Sequence, residues 1–360
     1  MTKARRGRPP PSIFQQCFAS KPCRTIDHAR NSAVPKSVKQ STHQPRRPVS
    51  DTTVSITTVS SPPGSRVAEQ KRGVRQRLLA WLSNRFQHHV PACTDLRGVT
   101  SDPMHAAYLW PESPFLIDVA SGACLGLHSV AFPMSPRGQN PFVQTVRAMD
   151  KGLDTYAGSA LYAYYERFRP ATAAAAIGVS PQVAHPDLLR PASAATLPWD
   201  FRDPAAAQAF WTGVCAHDYR QHGFDLTFSD GWKAWGPATE VAGAAEFTRL
   251  ARLHRSIKSR GYLRHPAHDG DIQGVILRHH DQTRILLTAG QHRAAVLAAL
   301  GHETLPVRLT ASVIDRSGVA HWPNVKRGIF SQTLALSVFD RIFAGRQPYG
   351  QASNRLRTVR

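Results

Sequence analysis

A chain of 360 residues has the length for two ordinary domains, or for one domain with a long tail. Its 42% hydrophobic content fits a folded protein, and the absence of any run of 18 apolar residues argues against a membrane-spanning helix. The net charge of +21 is unevenly spread, since residues 1–80 hold 16 Lys and Arg against three acids while residues 81–360 hold 29 against 21. Residues 1–74 are rich in Arg, Pro, Ser and Thr, with Pro9-Pro10-Pro11 and Pro62-Pro63. Such a segment has too little apolar surface to offset chain entropy, which predicts a disordered basic tail. A tail of this kind can bind nucleic acid without sequence preference or can simply be solvated. It lacks the apolar stretch of a secretory signal, and its composition also fits an organellar transit peptide or an over-extended start.

Residues 75–235 are expected to form a helical and loop-rich accessory region. Order is predicted from near Val74, where RQRLLAWLSNRF places Leu78, Leu79, Leu82 and Phe86 at helical spacing. His88-His89 follows that helix, where imidazolium complements the helix dipole. The stretch from Phe115 to Met134 reads as strand and loop material of the core, since Asp118, His128 and several glycines interrupt it. From Pro141 to Pro170 the pattern predicts two helices broken near Gly152, the second with Leu161, Tyr164, Tyr165 and Phe168 on its inner side. Residues 171–235 read as a loop-rich connector. Its tryptophans (Trp199, Trp211, Trp232, Trp235) suit packing better than a sugar or base platform.

The pattern becomes regular across residues 236–345. An amphipathic helix carries Phe247, Leu250, Leu253 and Ile257 and ends at Gly261. Two β-rich runs, Gly274 to Arg278 and Arg284 to Thr288, flank a polar turn and predict a hairpin. A ten-residue helix closed by Gly301, a strand from Leu305 to Leu309 and a helix from about Ser331 to Phe343 follow, and residues 346–360 form a C-terminal tail. The expected fold class is therefore α/β (α+β), a small C-terminal module behind a mostly helical accessory region.

Strand, glycine turn, helix, strand is the order that singles out Gly290-Gln291-His292-Arg293. A glycine lets the backbone turn tightly and approach a ligand. The first helical turn beyond it offers N–H groups without helical partners and a partial positive charge, which suits an anion. Arg293 adds a planar fork for phosphate oxygens, and His292 a further donor that a phosphate would hold protonated. An Arg in a first helical turn that merely pairs with an acidic neighbour is the competing meaning.

The run SIKSRGY, a variable strand pair and TAGQHRAAVLAALGHETLPVRL together resemble the core of the ParB N-terminal domain and sulfiredoxin superfamily over about seventy residues. That resemblance implies a turn that grips nucleotide phosphates, here Gly290, Gln291, His292 and Arg293; Thr288 and Ser256 stand as candidate hydroxyls behind it. YAGSALYAYYERFRP, GWKAWGPATE and HWPNVKRGIFSQTLALSVFDRIF are similar to an uncharacterised ParB-like group of bacterial proteins associated with surface-polysaccharide loci. Sulfiredoxins carry a reactive cysteine where this chain has Gln291, which argues against sulfinic acid reduction. Partitioning ParB proteins continue into helix-turn-helix domains, for which too few residues follow Leu309. The free serine kinases share the core and use an acidic base, for which Glu246 is the one candidate, although its position also reads as an exposed helix glutamate.

Other clusters carry less. The five cysteines form no C-x-x-C pair, which fits a reducing, cytoplasmic setting and offers no zinc site. Asp269 and Asp271 could help hold Mg²⁺ beside a nucleoside triphosphate, or could be plain loop acids. His279-His280-Asp281 reads as a solvated hairpin turn, and Trp322 of His321-Trp322-Pro323 as a cap on the core. The expectation is a phosphate-binding module for a nucleotide or other phosphorylated ligand, with phosphoryl transfer or nucleotide hydrolysis as the reaction class if it turns over. A nucleic-acid-associated protein working through the basic tail and a non-catalytic scaffold or sensor in polysaccharide assembly are the alternatives.

Overall fold

The computed structural model describes residues 93–112, 114–264 and 271–349. The expected tail, the helix from Arg75, His88-His89, Asp269 and most of the C-terminal tail lie outside the described residues. Within them the chain is α/β. A short strand β1 (Thr94–Asp95) leads to helix α1 (Pro103–Leu109), then β2 (Phe115–Ala120), β3 (Cys124–Gly126) and β4 (Phe132–Pro133). Helices α2 (Pro141–Met149), α3 (Ala160–Arg167), α4 (Ala173–Ala176) and α5 (Pro204–Gln221) follow. Next come α6 (Glu240–Arg260), β5 (Ile272–His279), β6 (Gln282–Ala289) and α7 (Gln291–Ala299). The chain ends with β7 (Thr304–Leu309), β8 (Val313–Asp315), α8 (Pro323–Lys326) and α9 (Gln332–Phe343).

Local chemistry explains most helix starts. Asn140, Ser159, Thr172, Asp203, Thr239 and Ser331 each accept a first-turn N–H through the side chain, and proline stands just inside α2 and α5. Gly261, at φ 72°, closes α6 at the expected place. The expected hairpin is present as β5 and β6, whose last pair is His279 with Gln282 across a His280-Asp281 loop. Each strand is longer than its apolar run, because the pairing continues into Arg278, His279, Gln282 and Thr283.

The eight described strands form one mixed sheet in the order β1-β2-β7-β5-β6-β3-β4, with β8 beside β5. β2 pairs antiparallel to β7 over six residues, β5 runs parallel to β7, and β3 runs parallel to β6. Strands from residues 94–133, expected to be accessory, thus flank the strands of residues 272–309 on both sides. The sequence boundary at residue 236 therefore divides neither the sheet nor the hydrophobic core, which is one cluster running from Leu96 to Phe343.

The expected connector contains an 18-residue helix, α5. Its apolar residues are scattered around the helix, so no amphipathic stripe announces it, and alanine propensity with an Asp-Pro start carries it instead. The tryptophans do pack. Trp199 and Trp322 lie edge to face at 5.3 Å and both meet Phe339 at 5.6 Å, which seats α9 on the core. His128 sits between Trp211 and Trp232, with ring centroids at 4.9 and 5.9 Å. No described helix is long and apolar enough to cross a membrane.

Candidate functional site

The turn between β6 and α7 is built around Gly290, the N-terminal cap of α7, at φ 73° and ψ 24°. That left-handed conformation costs an ordinary residue about 1–2 kcal/mol. Crowding adds to it, because a Cβ at Gly290 would lie 2.8 Å from the Ile272 Cα at the start of β5. A glycine cap also brings no side chain to the first-turn N–H groups, and none caps them from Gly290. The first backbone bond of the turn is Ala294 N–H to Gly290 O at 3.0 Å.

The side chains beyond the glycine divide into two sets. Gln291 is buried and spans two segments: its Oε1 accepts from Leu127 N–H and its Nε2 donates to Leu287 O, both at 2.9 Å. A Cβ on Gly126 would lie 2.9 Å from that Oε1 and 2.1 Å from the Met134 Cε, so β3 and the amide are fitted closely. Gln291 therefore serves the fold with its side chain, where sequence reasoning placed it at the ligand.

His292 also points inward. Its Nε2 lies 2.5 Å from Glu246 Oε2, and its ring packs on Phe142 at 4.8 Å. Glu246 is 1% exposed, which overturns the reading of an exposed helix glutamate. Its Oε1 accepts from Arg249 Nη1 at 2.9 Å, and Arg249 makes two further bonds of 3.1 Å to Asp218, which also accepts from Lys233 Nζ at 3.1 Å. The row His292-Glu246-Arg249-Asp218-Lys233 thus links α7, α6, α5 and the loop before α6.

Two carboxylates and two cations balance in this row when the imidazole is neutral. Burial pushes the Glu246 carboxyl up, but Arg249 and His292 outweigh it and bring the group down to about 2. Burial and then Arg249 lower His292, so the neutral ring donates its Nε2–H to the Glu246 carboxylate. Asp218 lies well below the usual carboxylate range, where Lys233 and Arg249 outweigh its burial. Sequence reasoning had His292 protonated beside a phosphate. Its position behind the helix, against Glu246, makes it a neutral support instead.

Arg293 belongs to the second set. Its guanidinium hydrogen-bonds the Tyr262 hydroxyl, which also feels Arg264 and Asp271. Arg264 holds the buried Asp271 carboxylate through bonds of 2.6 and 3.0 Å. Arg308, paired in register with Gln273, acts on the Cys93 thiol together with Arg264. Arg264 on the buried Asp271, Arg308 in register with Gln273 and Arg293 in the first turn of α7 thus lie at the same end of the sheet, where Arg293 is 6% exposed, as buried as His292. Asp271 is engaged by Arg264, so it stands as an ion-pair partner rather than the loop acid or Mg²⁺ ligand considered from sequence.

Thr288 is half-buried at the end of β6, two residues before the glycine. Ser256 accepts from Arg260 Nη2 at 2.7 Å, so its hydrogen bond runs along α6 and not to the turn. Among the described residues no group of three His, Cys, Asp or Glu side chains stands together as a metal site. Asp218, Lys233 and Arg249 were not singled out from sequence. Arg249 carried a signal, standing three residues after Glu246 on one helix face. Asp218 and Lys233 meet it only through the tertiary fold.

No protein-family model matches this chain, no curated protein matches it, and no solved structure matches it.

Proposed function

We propose that the Gly290–Arg293 turn holds the phosphate of a nucleoside phosphate or a similar phosphorylated ligand, in a cytoplasmic protein with a ParB/sulfiredoxin-like module. The observation that supports this is the left-handed Gly290 at the start of α7, packed against Ile272, with Arg293 in the first helical turn, Arg264 bonded to Asp271 and Arg308 in register with Gln273 at the same end of the sheet. Helix-start N–H groups and a guanidinium fork are the donors that phosphate oxygens accept best. In this reading the ligand meets the backbone of the turn and Arg293. Gln291 and His292 hold the turn in place from behind. A nucleoside triphosphate would bring Mg²⁺ with it, and any phosphoryl transfer or hydrolysis here would work by positioning and charge stabilisation. Glu246, paired with Arg249 behind α7, is then a positioning residue and not the base.

The test is calorimetric titration of the protein with ATP, CTP, GTP and UTP in the presence of Mg²⁺, alongside Arg293→Ala. Saturable binding of at least one nucleotide is expected, weakened about tenfold or more in the variant, as loss of a charge-assisted bond requires. Thermal melting of the variant shows whether it still folds. A folded wild-type protein that takes up none of the four, or a variant that binds as tightly, would leave the turn as architecture.

A further inference from the structure

The outer face of α6 carries a groove that the phosphate reading leaves unused. Its volume is about 990 Å³, and it lies between α6 and the chain from Met149 to Tyr156. Met149, Leu153, Phe247 and Ala251 make it apolar along its length. Its two ends carry opposite charge. Toward the C-terminus of α6 stand Arg255, with no ion-pair partner among the described residues, and Lys258, which shares Asp150 with His254. The segment runs back along α6, from Asp150 bonded to His254 and Lys258 to Tyr156 packed on Gly243, which sets Asp154 toward the other end, also without an ion-pair partner among the described residues. Glu240 is nearby, raising the pKa of the Tyr156 hydroxyl after burial has done so first.

We propose that this groove is the contact surface for a second copy of the chain, seated by a two-fold rotation that lays the two α6 helices antiparallel. A surface that is acidic at one end, cationic at the other and apolar between is complementary to itself under such a rotation. The helix sequence fits the same operation. Val241, Ala244, Thr248, Ala251, Arg255 and Lys258 follow one another at alternating steps of three and four along one stripe. An axis midway along it sets Val241 against the partner's Lys258, Ala244 against the partner's Arg255, and Thr248 against the partner's Ala251.

The central residues are small and let the helices approach closely. The Lys258 stem would cover Val241, which is 63% exposed. Asp154 and Glu240 of one protomer meet the cationic end of the other, and antiparallel helices also oppose their macrodipoles favourably. An amphiphilic small molecule with a single charged head would answer one end of the groove and leave the other unmatched. The proposal is independent of the phosphate reading, since no residue of the Gly290 turn takes part.

Sedimentation equilibrium of the full chain tests it. The wild type is expected to be a dimer whose dissociation constant rises with salt. Ala251→Arg should be monomeric at the same concentrations, and Arg255→Asp should dimerise about tenfold more weakly or worse. Reversing both signs, in Asp154→Arg with Arg255→Asp, should restore the dimer to within a few-fold of wild type. Both charge variants change exposed side chains, so they read the interface even if Ala251→Arg fails to fold. A wild type monomeric throughout would overturn the proposal. So would a dimer unaffected by Ala251→Arg, or a double reversal no tighter than the single one.

Discussion

Glu246→Ala is expected to cost about 3–5 kcal/mol of stability, a large part of what holds a typical domain folded. The size follows from what the carboxylate leaves behind. Arg249 would keep Asp218 but lose its second acid, and His292 would lose the acceptor of its Nε2–H inside the core. A buried donor without an acceptor and an unbalanced cation each carry a desolvation cost. Glu246→Gln keeps the shape and one oxygen acceptor, so its expected loss is smaller, about 1–3 kcal/mol. Urea denaturation of the two variants against wild type measures both. A loss under about 1 kcal/mol in Glu246→Ala would mean that water or a shifted side chain replaces the carboxylate.

The same row gives the stability a pH dependence with a definite sign. The ordinary value for Glu246 is 4.5 and its folded value is about 2, so its contribution is fully present above about 4.5 and lost as pH falls through 2. At about 1.4 kcal/mol per unit that amounts to about 3 kcal/mol. The histidines act in the same direction. Burial lowers His128 to about 3 and also lowers His292, so below 6.5 the unfolded chain takes up protons that the folded chain refuses. The urea midpoint should therefore decline steadily from neutral pH toward pH 3. In Glu246→Gln the part below 4.5 should be shallower, with Asp218 and His128 keeping the rest of the decline. A midpoint independent of pH between 7 and 4 would contradict two buried neutral imidazoles.

What the sequence disclosed here and what it withheld have the same physical cause. Local signals were legible: the apolar spacing and Gly261 end of α6, the hairpin either side of His280-Asp281, and the glycine before α7 each depend on residues close in the chain. The direction of a side chain depends on distant partners. Gln291 turns inward because Leu127, 164 positions earlier, offers an N–H, and His292 because Glu246 waits on another helix. The place of β2 was equally hidden. Its run from Phe115 to Val119 reads as core, yet only the pairing of Phe115 with Leu309 shows that it completes the same sheet as the turn. Helix α5 was missed for a different reason, since alanine-rich helices without an apolar stripe resemble loops to any argument from periodicity.

Gly290→Ala should destabilise the fold by about 3 kcal/mol and, on the phosphate reading proposed above, weaken nucleotide binding at the same time. Two costs are involved, and a second glycine separates them. Gly301, at φ 88°, has open space where a Cβ would go, so Gly301→Ala carries only the cost of the left-handed backbone, about 1–2 kcal/mol. Gly290→Ala carries that cost plus the approach to the Ile272 backbone at 2.8 Å, which no side-chain rotation relieves. Relief must come from shifting the turn away from β5. Such a shift moves the N–H groups of α7 and the Arg293 fork relative to Arg264 and Arg308, and a displaced set of donors no longer matches a tetrahedral phosphate. Denaturant titration of both variants gives the two stabilities, and calorimetry on the folded fraction gives the binding. Gly301→Ala should bind as wild type does, while Gly290→Ala should lose about tenfold or more. If the two substitutions prove equally costly and neither touches binding, the close approach at Ile272 is accommodated elsewhere. The turn would then owe its glycine to backbone conformation alone.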